Sequence, residues 1–294
     1  MSVTTASSDR PAAEGTFELR AGALRLALRA DLGGSIAGLW HRDTPILRST
    51  EPGALTGSRQ SACYPLVPYS NRLAYRQFQW DGRDYTTATN FDNSPHSVHG
   101  VGWLRVWDPV SHGATDVVLR YRHAPDVHWP FAFEARQSFT LTPQSLGVRL
   151  IFTNTDERAQ PVGLGWHPYF PKRERSRLHI EVSDRWESDA TELPVRQVAQ
   201  SGIDGDVSQL GFDHCFDGWS GPARIRDEAF SLRLSSDLTH MVVYTPADKS
   251  YFCVEPVSHV SNAIHMADPA ARGLRTLLPG ERFQASMTLE VSVP

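Results

Sequence analysis

Five short stretches of this 294-residue chain set ionisable side chains among aromatic residues and glycines: YPLVPYSNRLAY, SPHSVHGVGW, VGLGWHPYF, GFDHCFDGW and YFCVEPVSH. Their candidates for chemistry are Arg72, His99, His167, Asp213 and Glu255. A carboxylate and an imidazole whose pKa values lie near working pH can exchange the roles of proton acceptor and donor. His167 sits between a tryptophan and a proline. Pro168 restricts its backbone, and Gly163 and Gly165 let neighbouring chain come close, so the sequence predicts an imidazole that is both held and buried. Glu255 closes the apolar run YFCVE just before a proline. A carboxylate withdrawn from water there needs a charged or hydrogen-bonding partner, or its pKa must shift.

Each candidate also has a purely structural reading. His99 and His167 can be core histidines bonded to backbone carbonyls. Arg72 can be the ion-pair partner of Glu255, and Asp213 can cap a turn. Metal binding has little support in the spacing. His96 and His99 would share a face only on a helix, which the adjoining proline and glycine disfavour; on a strand they point to opposite faces, and no third ligand stands nearby. Trp103 and Trp166 can either flank an apolar ligand face or belong to the core. No stretch matches a phosphate-binding loop, a dinucleotide fingerprint or a serine-esterase elbow, so the chemistry must be assembled from distant segments.

The elements that would bring them together read as strands. In ALRLALRA, Leu24, Leu26 and Leu28 alternate with Arg25, Ala27 and Arg29. Similar short runs recur in DVVLRYR, FEARQSFTL, GVRLIFTN, RLHIEV, FSLRLS, HMVVYT, YFCVE and ASMTLEVSV, separated by turn-forming pieces such as DLGG, WDGRD, LTPQS, SGIDGD and LPGE. No segment of helical length keeps a helical stripe. Many short strands without intervening helices predict packed antiparallel sheets, a sandwich or broad barrel. Arg185 to Asp213 is the least strand-like part and reads as a long surface excursion, of the kind that often walls a binding site.

The composition, 40% hydrophobic and 21% charged with a net charge of -4, is that of a globular protein with an ample core. Its lysines and arginines are scattered, which excludes a basic stripe for nucleic acid or a membrane surface and leaves small neutral ligands favoured. Three distant cysteines, Cys63, Cys215 and Cys253, form neither a C-x-x-C pair nor a disulfide framework, and the expectation is a reducing, cytoplasmic setting. Residues 1–14 are small and polar and read as a flexible terminus; no linker divides 15–294, which is expected to be one β-sandwich catalytic domain. No run is long enough for a membrane span.

Together the five stretches resemble the aldose 1-epimerase (galactose mutarotase) family. PYSNRLAYRQFQWDGRDY, HSVHGVGWLRVW, GLGWHPYFP, FDHCF and CVEPVSH occur in the family's order, from about residue 15 to the end. The resemblance implies an all-β, antiparallel β-supersandwich with a sugar pocket. It implies Glu255 as base, His167 as acid, and His99 supporting the acid and the sugar ring oxygen. It gives Arg72 and Asp213 to substrate hydroxyls, with Asn71 and Trp166 beside them as substrate-binding residues. Such a reaction transfers neither electrons nor groups, so no cofactor and no metal is expected; the only expected partner is a sugar, with the chain a monomer or homodimer. Trimmed loops between the motifs leave the preferred sugar open. The competing activities are a hexose-6-phosphate epimerase, which needs extra rim cations such as Arg76 or Arg105, a carbohydrate-binding protein without catalysis, and a glycoside hydrolase using Asp213 and Glu255.

Overall fold

Period-two patterning predicts strands, and strands dominate. The structure, a computed structural model, describes residues 15–92 and 94–293; the terminus 1–14 lies outside the described residues. FEARQSFTL forms the strand Phe133–Leu141, and GVRLIFTN falls within Ser145–Asn154. The two pair antiparallel across the LTPQS turn, with Leu141 opposite Leu146. Their alternate residues Phe133, Ala135, Phe139, Val148, Leu150 and Phe152 are buried together, because a pleated strand sends every second side chain to the same face. Among the described residues the only helical pieces are three-residue 3-10 turns.

Two large antiparallel sheets make the sandwich. The first has nine strands, and its centre joins Phe133–Leu141, Ser145–Asn154, Arg282–Ser292 and Ser231–Ser236. The second has eight. It runs from Pro194–Ala199 through Asp184–Ser188, Asp213–Asp217, His240–Tyr244, Tyr251–Val257 and Gly165–Trp166 to Pro65–Leu66, with Tyr169–Pro171 also paired to Tyr251–Val257.

The second sheet has two buried faces. Phe216, Met241, Val243, Phe252 and Val254 point into the main core shared with the nine-stranded sheet. Cys215, Val242, Cys253 and Val257 point the other way, into a smaller cluster with Tyr64, Trp103, Tyr169 and Trp186. Alternation therefore decides which residues of each motif can reach a ligand, since the polar residues of the second face share it with the smaller cluster.

One expectation needs correction. The segment from Arg185 to Asp213 is not an unstructured excursion: Asp184–Ser188 and Pro194–Ala199 form a hairpin, and Ile203–Asp206 pairs with Arg177–Glu181. Pro194–Ala199 and Ile203–Asp206 are edge strands and Asp184–Ser188 lies one strand in; together they bury little beyond Trp186 and Ile203, so they lack the repeated apolar alternation of central strands.

Candidate active site

Six of the seven expected site residues meet at one cleft. Asn71, Arg72, His99, His167, Asp213 and Glu255 line a cavity of about 440 Å³ over the second face of the eight-stranded sheet. Glu255 projects from the strand Tyr251–Val257 on the same face as Cys253, two residues away, and is only 2% exposed. His167 follows the strand Gly165–Trp166, which pairs with Tyr251–Val257 through Gly165 and Val257. That pairing brings His167 Nε2 to 3.3 Å from Glu255 Oε1.

The glycines flagged in the sequence make this approach possible. A Cβ on Gly165 would lie 2.7 Å from the carbonyl oxygen of Pro256, and one on Gly163 would lie 2.0 Å from Cδ2 of His259. A side chain at 165 would push the His167 segment away from the Glu255 strand, and one at 163 would collide with the buried His259 ring.

His167 is held by stacking. Its ring stacks on Tyr169, with centroids 4.4 Å apart at 19°, and packs at a tilt against Tyr64, at 4.8 Å and 34°, while His99 meets it edge-on at 5.2 Å. Trp103 continues the stack beyond Tyr64, and the Arg48 guanidinium covers the far side of Tyr169. The backbone N–H of His167 donates to the Tyr64 carbonyl, whereas its Nδ1 has no protein partner. Stacking fixes the ring plane and leaves both nitrogens available to proton chemistry.

Burial sets the electrostatics. It pushes the Glu255 carboxyl well above the ordinary carboxylate value, with Asp213 adding and Arg72 opposing. It pulls His167 well below the ordinary imidazole value, helped by the nearby His99 and Arg48. Each shift favours the neutral form of its group, so the pair holds one proton between two groups 3.3 Å apart. His99 is pulled down to about 3 by burial and by Arg72 and Arg59. The Asn71 backbone N–H donates to its Nδ1 at 3.1 Å, which leaves the neutral ring with its proton on Nε2. The Asn71 carbonyl accepts from the His99 backbone N–H in return, and both residues adopt left-handed φ, 56° and 65°, which tertiary contacts must hold.

Arg72 is aimed from two sides. Asn71 Oδ1 accepts from its Nη1 at 3.0 Å, and Glu192 Oε2 accepts from Nη2 at 2.7 Å and from Nε at 3.2 Å. Glu192 sits at the tip of the Asp184–Ala199 hairpin with φ 64°. His96 secures that tip: it accepts the Tyr75 N–H at Nδ1 and so donates from Nε2 to the Thr191 carbonyl. His96 is thus a structural histidine. Solvent reaches Asp213, yet the cleft walls desolvate its carboxyl and raise it, with Glu192 adding and Arg72 opposing.

Trp166 corrects the seventh expectation. Alternation along residues 165–167 turns it away from the cleft into the main core, where it is 1% exposed. Trp103 is also buried, beneath Tyr64. Arg76 and Arg105 do not line the cleft either; Arg76 donates to Thr89, and Arg105 pairs with Asp126. Besides Arg72, the cations at the cavity are instead Arg59 and Lys249, which share it with Asp92 and Glu192. Folding also assembles what spacing concealed: ligand atoms of His167, Cys253 and Glu255 lie within 4.8 Å of one another. Cys253 was legible in principle, as the residue two before Glu255 on the same strand face.

The aldose 1-epimerase family model matches residues 15–290. An uncharacterised Escherichia coli protein, YphB, is 34% identical, covering 94% of this chain and 98% of its own. Among solved structures, a putative aldose 1-epimerase from Escherichia coli K12 superposes with a TM-score of 0.86 at 31% identity, covering 95% of this chain and 99% of that one. A galactose mutarotase-like protein from Clostridium acetobutylicum has the same fold, with a TM-score of 0.81 at 18% identity and 95% coverage of both chains.

Proposed function

Since the chain belongs to the aldose 1-epimerase family, we propose that it interconverts the α and β anomers of a free aldose by acid–base ring opening. The observation that carries this reading is the contact between His167 and Glu255 at a polar cleft large enough for a monosaccharide. In the reactive form Glu255 is the carboxylate and His167 the imidazolium, one proton hop from the neutral pair. Glu255 takes the proton of the anomeric hydroxyl while His167 gives its proton to the ring oxygen, and the bond from C1 to the ring oxygen breaks. Rotation about C1–C2 turns the aldehyde. The former ring oxygen then adds to the other carbonyl face, its proton returns to His167, and Glu255 protonates the new anomeric oxygen.

His99, a neutral donor through Nε2–H, supports the ring oxygen as charge develops there. Arg72 and Asp213 hold ring hydroxyls, and Asn71 and Glu192 aim Arg72. Every proton released is taken up again, so the cycle requires no cofactor.

A sugar phosphate is the second reading, favoured by Arg59 and Lys249 at the cavity. Glu192 already pairs with Arg72, and Asp92 and Asp213 line the same cavity as Arg59 and Lys249, so the cleft has no clear excess of cations for a dianion and the neutral sugar is preferred. The absence of a C-x-x-C pair and three buried free cysteines support a reducing, cytoplasmic setting. Polarimetry on freshly dissolved α-glucose, α-galactose and glucose 6-phosphate tests activity and substrate class together. Accelerated mutarotation of a free sugar is expected; hydrolysis of glycosides, or sugar binding without anomer exchange, would replace this reading.

A further inference from the structure

We infer that His167, Cys253 and Glu255 form a binding site for a soft divalent cation, zinc or cadmium, and that its occupancy switches the epimerase off. The three side chains supply one nitrogen, one sulfur and one oxygen donor from two chain segments, with their ligand atoms within 4.8 Å of one another. Zinc bonds of about 2.0–2.3 Å place tetrahedral ligand atoms roughly 3.3–3.8 Å apart. The His167 to Glu255 separation of 3.3 Å already meets that, and Cys253 needs to move by no more than about 1 Å.

The mixed N, S, O donor set selects zinc and its heavier congener over magnesium or calcium, which take oxygen ligands. Strand alternation puts Cys253 and Glu255 on one face, and pairing to the Gly165 segment delivers His167. His167 and Glu255 line the cleft and Cys253 is buried behind them, so the fourth position of a cation held by the three would face the cleft. Three protein ligands with an open fourth position favour reversible occupancy over a closed structural site. On binding, the cation takes a lone pair from each ligand, and both the thiol proton and the one proton held by the His167–Glu255 pair leave to solvent.

The switching half of this inference rests on the proton-transfer reading above, because the cation occupies the lone pairs that reading assigns to catalysis. The binding half does not. Chelated full-length protein should therefore be titrated with cadmium, following the ultraviolet thiolate-to-metal absorption, and zinc should be titrated into the mutarotation assay. One cadmium per chain is expected to generate the absorption in the wild type. Cys253→Ser and Cys253→Ala should abolish it, with circular dichroism confirming that at least one of the two is folded.

The zinc concentration that halves each protein's own metal-free rate should rise in those variants by more than about 100-fold, since outer-shell partners alone are worth about 10–100-fold in affinity. No absorption in the wild type, or absorption that survives in the variants and so comes from Cys63 or Cys215, would overturn the site. Equal zinc sensitivity in wild type and variants would overturn the switch. If the wild type lacks mutarotase activity, the absorption titration still decides the site, and only the functional reading falls.

Discussion

His167 Nε2 and Glu255 Oε1 lie 3.3 Å apart on neighbouring segments of one sheet, both side chains almost wholly buried. A histidine and a glutamate serving only structure would each be tied to fixed partners. Here His167 Nδ1 has none, and the ring is held by tyrosine faces.

If the pair moves protons, Glu255→Gln and His167→Asn should each lower kcat by about 10²–10⁴-fold, the usual scale for positioned acid–base groups. The double variant should be little worse than the poorer single one, because both groups serve one coupled step. Replacing a buried carboxyl with a neutral amide relieves desolvation, so Glu255→Gln should melt no lower than the wild type. Polarimetric rates with circular dichroism melts check both halves. A lower melting temperature with normal turnover in the folded fraction would instead make the pair structural.

The pH profile follows from the directions of the two shifts. The active pair carries one proton. A second proton must go onto His167, whose pKa burial lowers from 6.5, so the acid limb lies below the ordinary imidazole titration. The last proton must leave Glu255, whose pKa burial raises from 4.5, so the alkaline limb lies above the ordinary carboxylate titration. The acid limb of the kcat/KM profile should therefore lie below about pH 6.5, with no acid-side inflection where an unperturbed imidazole would titrate. An inflection there would show that His167 ionises as a solvated group.

The strand network was legible because FEARQSFTL buries alternate residues on one face, while YFCVE reads as a short continuous apolar run because both of its faces are buried. The Asp184–Ala199 hairpin was not, because an edge hairpin satisfies itself with backbone bonds and one buried tryptophan. Arg72, His99, His167, Asp213 and Glu255 stand out as ionisable groups in apolar company. Trp166 misled because aromatic character does not reveal which face of a strand a residue occupies. Glu192, Arg59 and Lys249 sit in segments of ordinary polar composition, and only the fold carries them to the cleft.

Gly165→Ala tests whether the close strand approach matters to function. The added Cβ would meet the Pro256 carbonyl oxygen at 2.7 Å and Val257 Cγ1 at 2.9 Å, forcing apart the two segments that carry His167 and Glu255. Overpacking of this kind costs about 1–3 kcal/mol. The melting temperature should fall, and kcat should fall in the protein that remains folded. Unchanged turnover would mean that the separation of His167 and Glu255 tolerates slack.

Prolonged chelation followed by dialysis should leave mutarotation intact, because the proposed cycle consists of proton transfers among Glu255, His167 and the sugar. Activity lost to chelator and restored by a divalent ion would require a different mechanism.

Arg72 and Glu192 provide the test of substrate positioning. Arg72 donates twice to Glu192 and once to Asn71, an arrangement that fixes the guanidinium before any sugar arrives. Hydrogen bonds from a charged group are worth about 1.5–3 kcal/mol, so Arg72→Ala should raise KM by roughly 10- to 150-fold. Those bonds exist in the ground state as well as in the transition state, so kcat should change little. The ion pair with Glu192 is partly solvated, with the carboxylate side chain 61% exposed, and contributes about 0–1 kcal/mol to stability. Glu192→Gln should therefore leave the melting temperature nearly unchanged while raising KM by a smaller factor than Arg72→Ala. If Glu192 acts only by aiming Arg72, the double variant should match Arg72→Ala alone, and a kinetic double-mutant cycle on KM reads that directly. Additive losses would show that Glu192 contacts the sugar itself, and a large fall in kcat in Arg72→Ala at unchanged KM would remove Arg72 from the binding role.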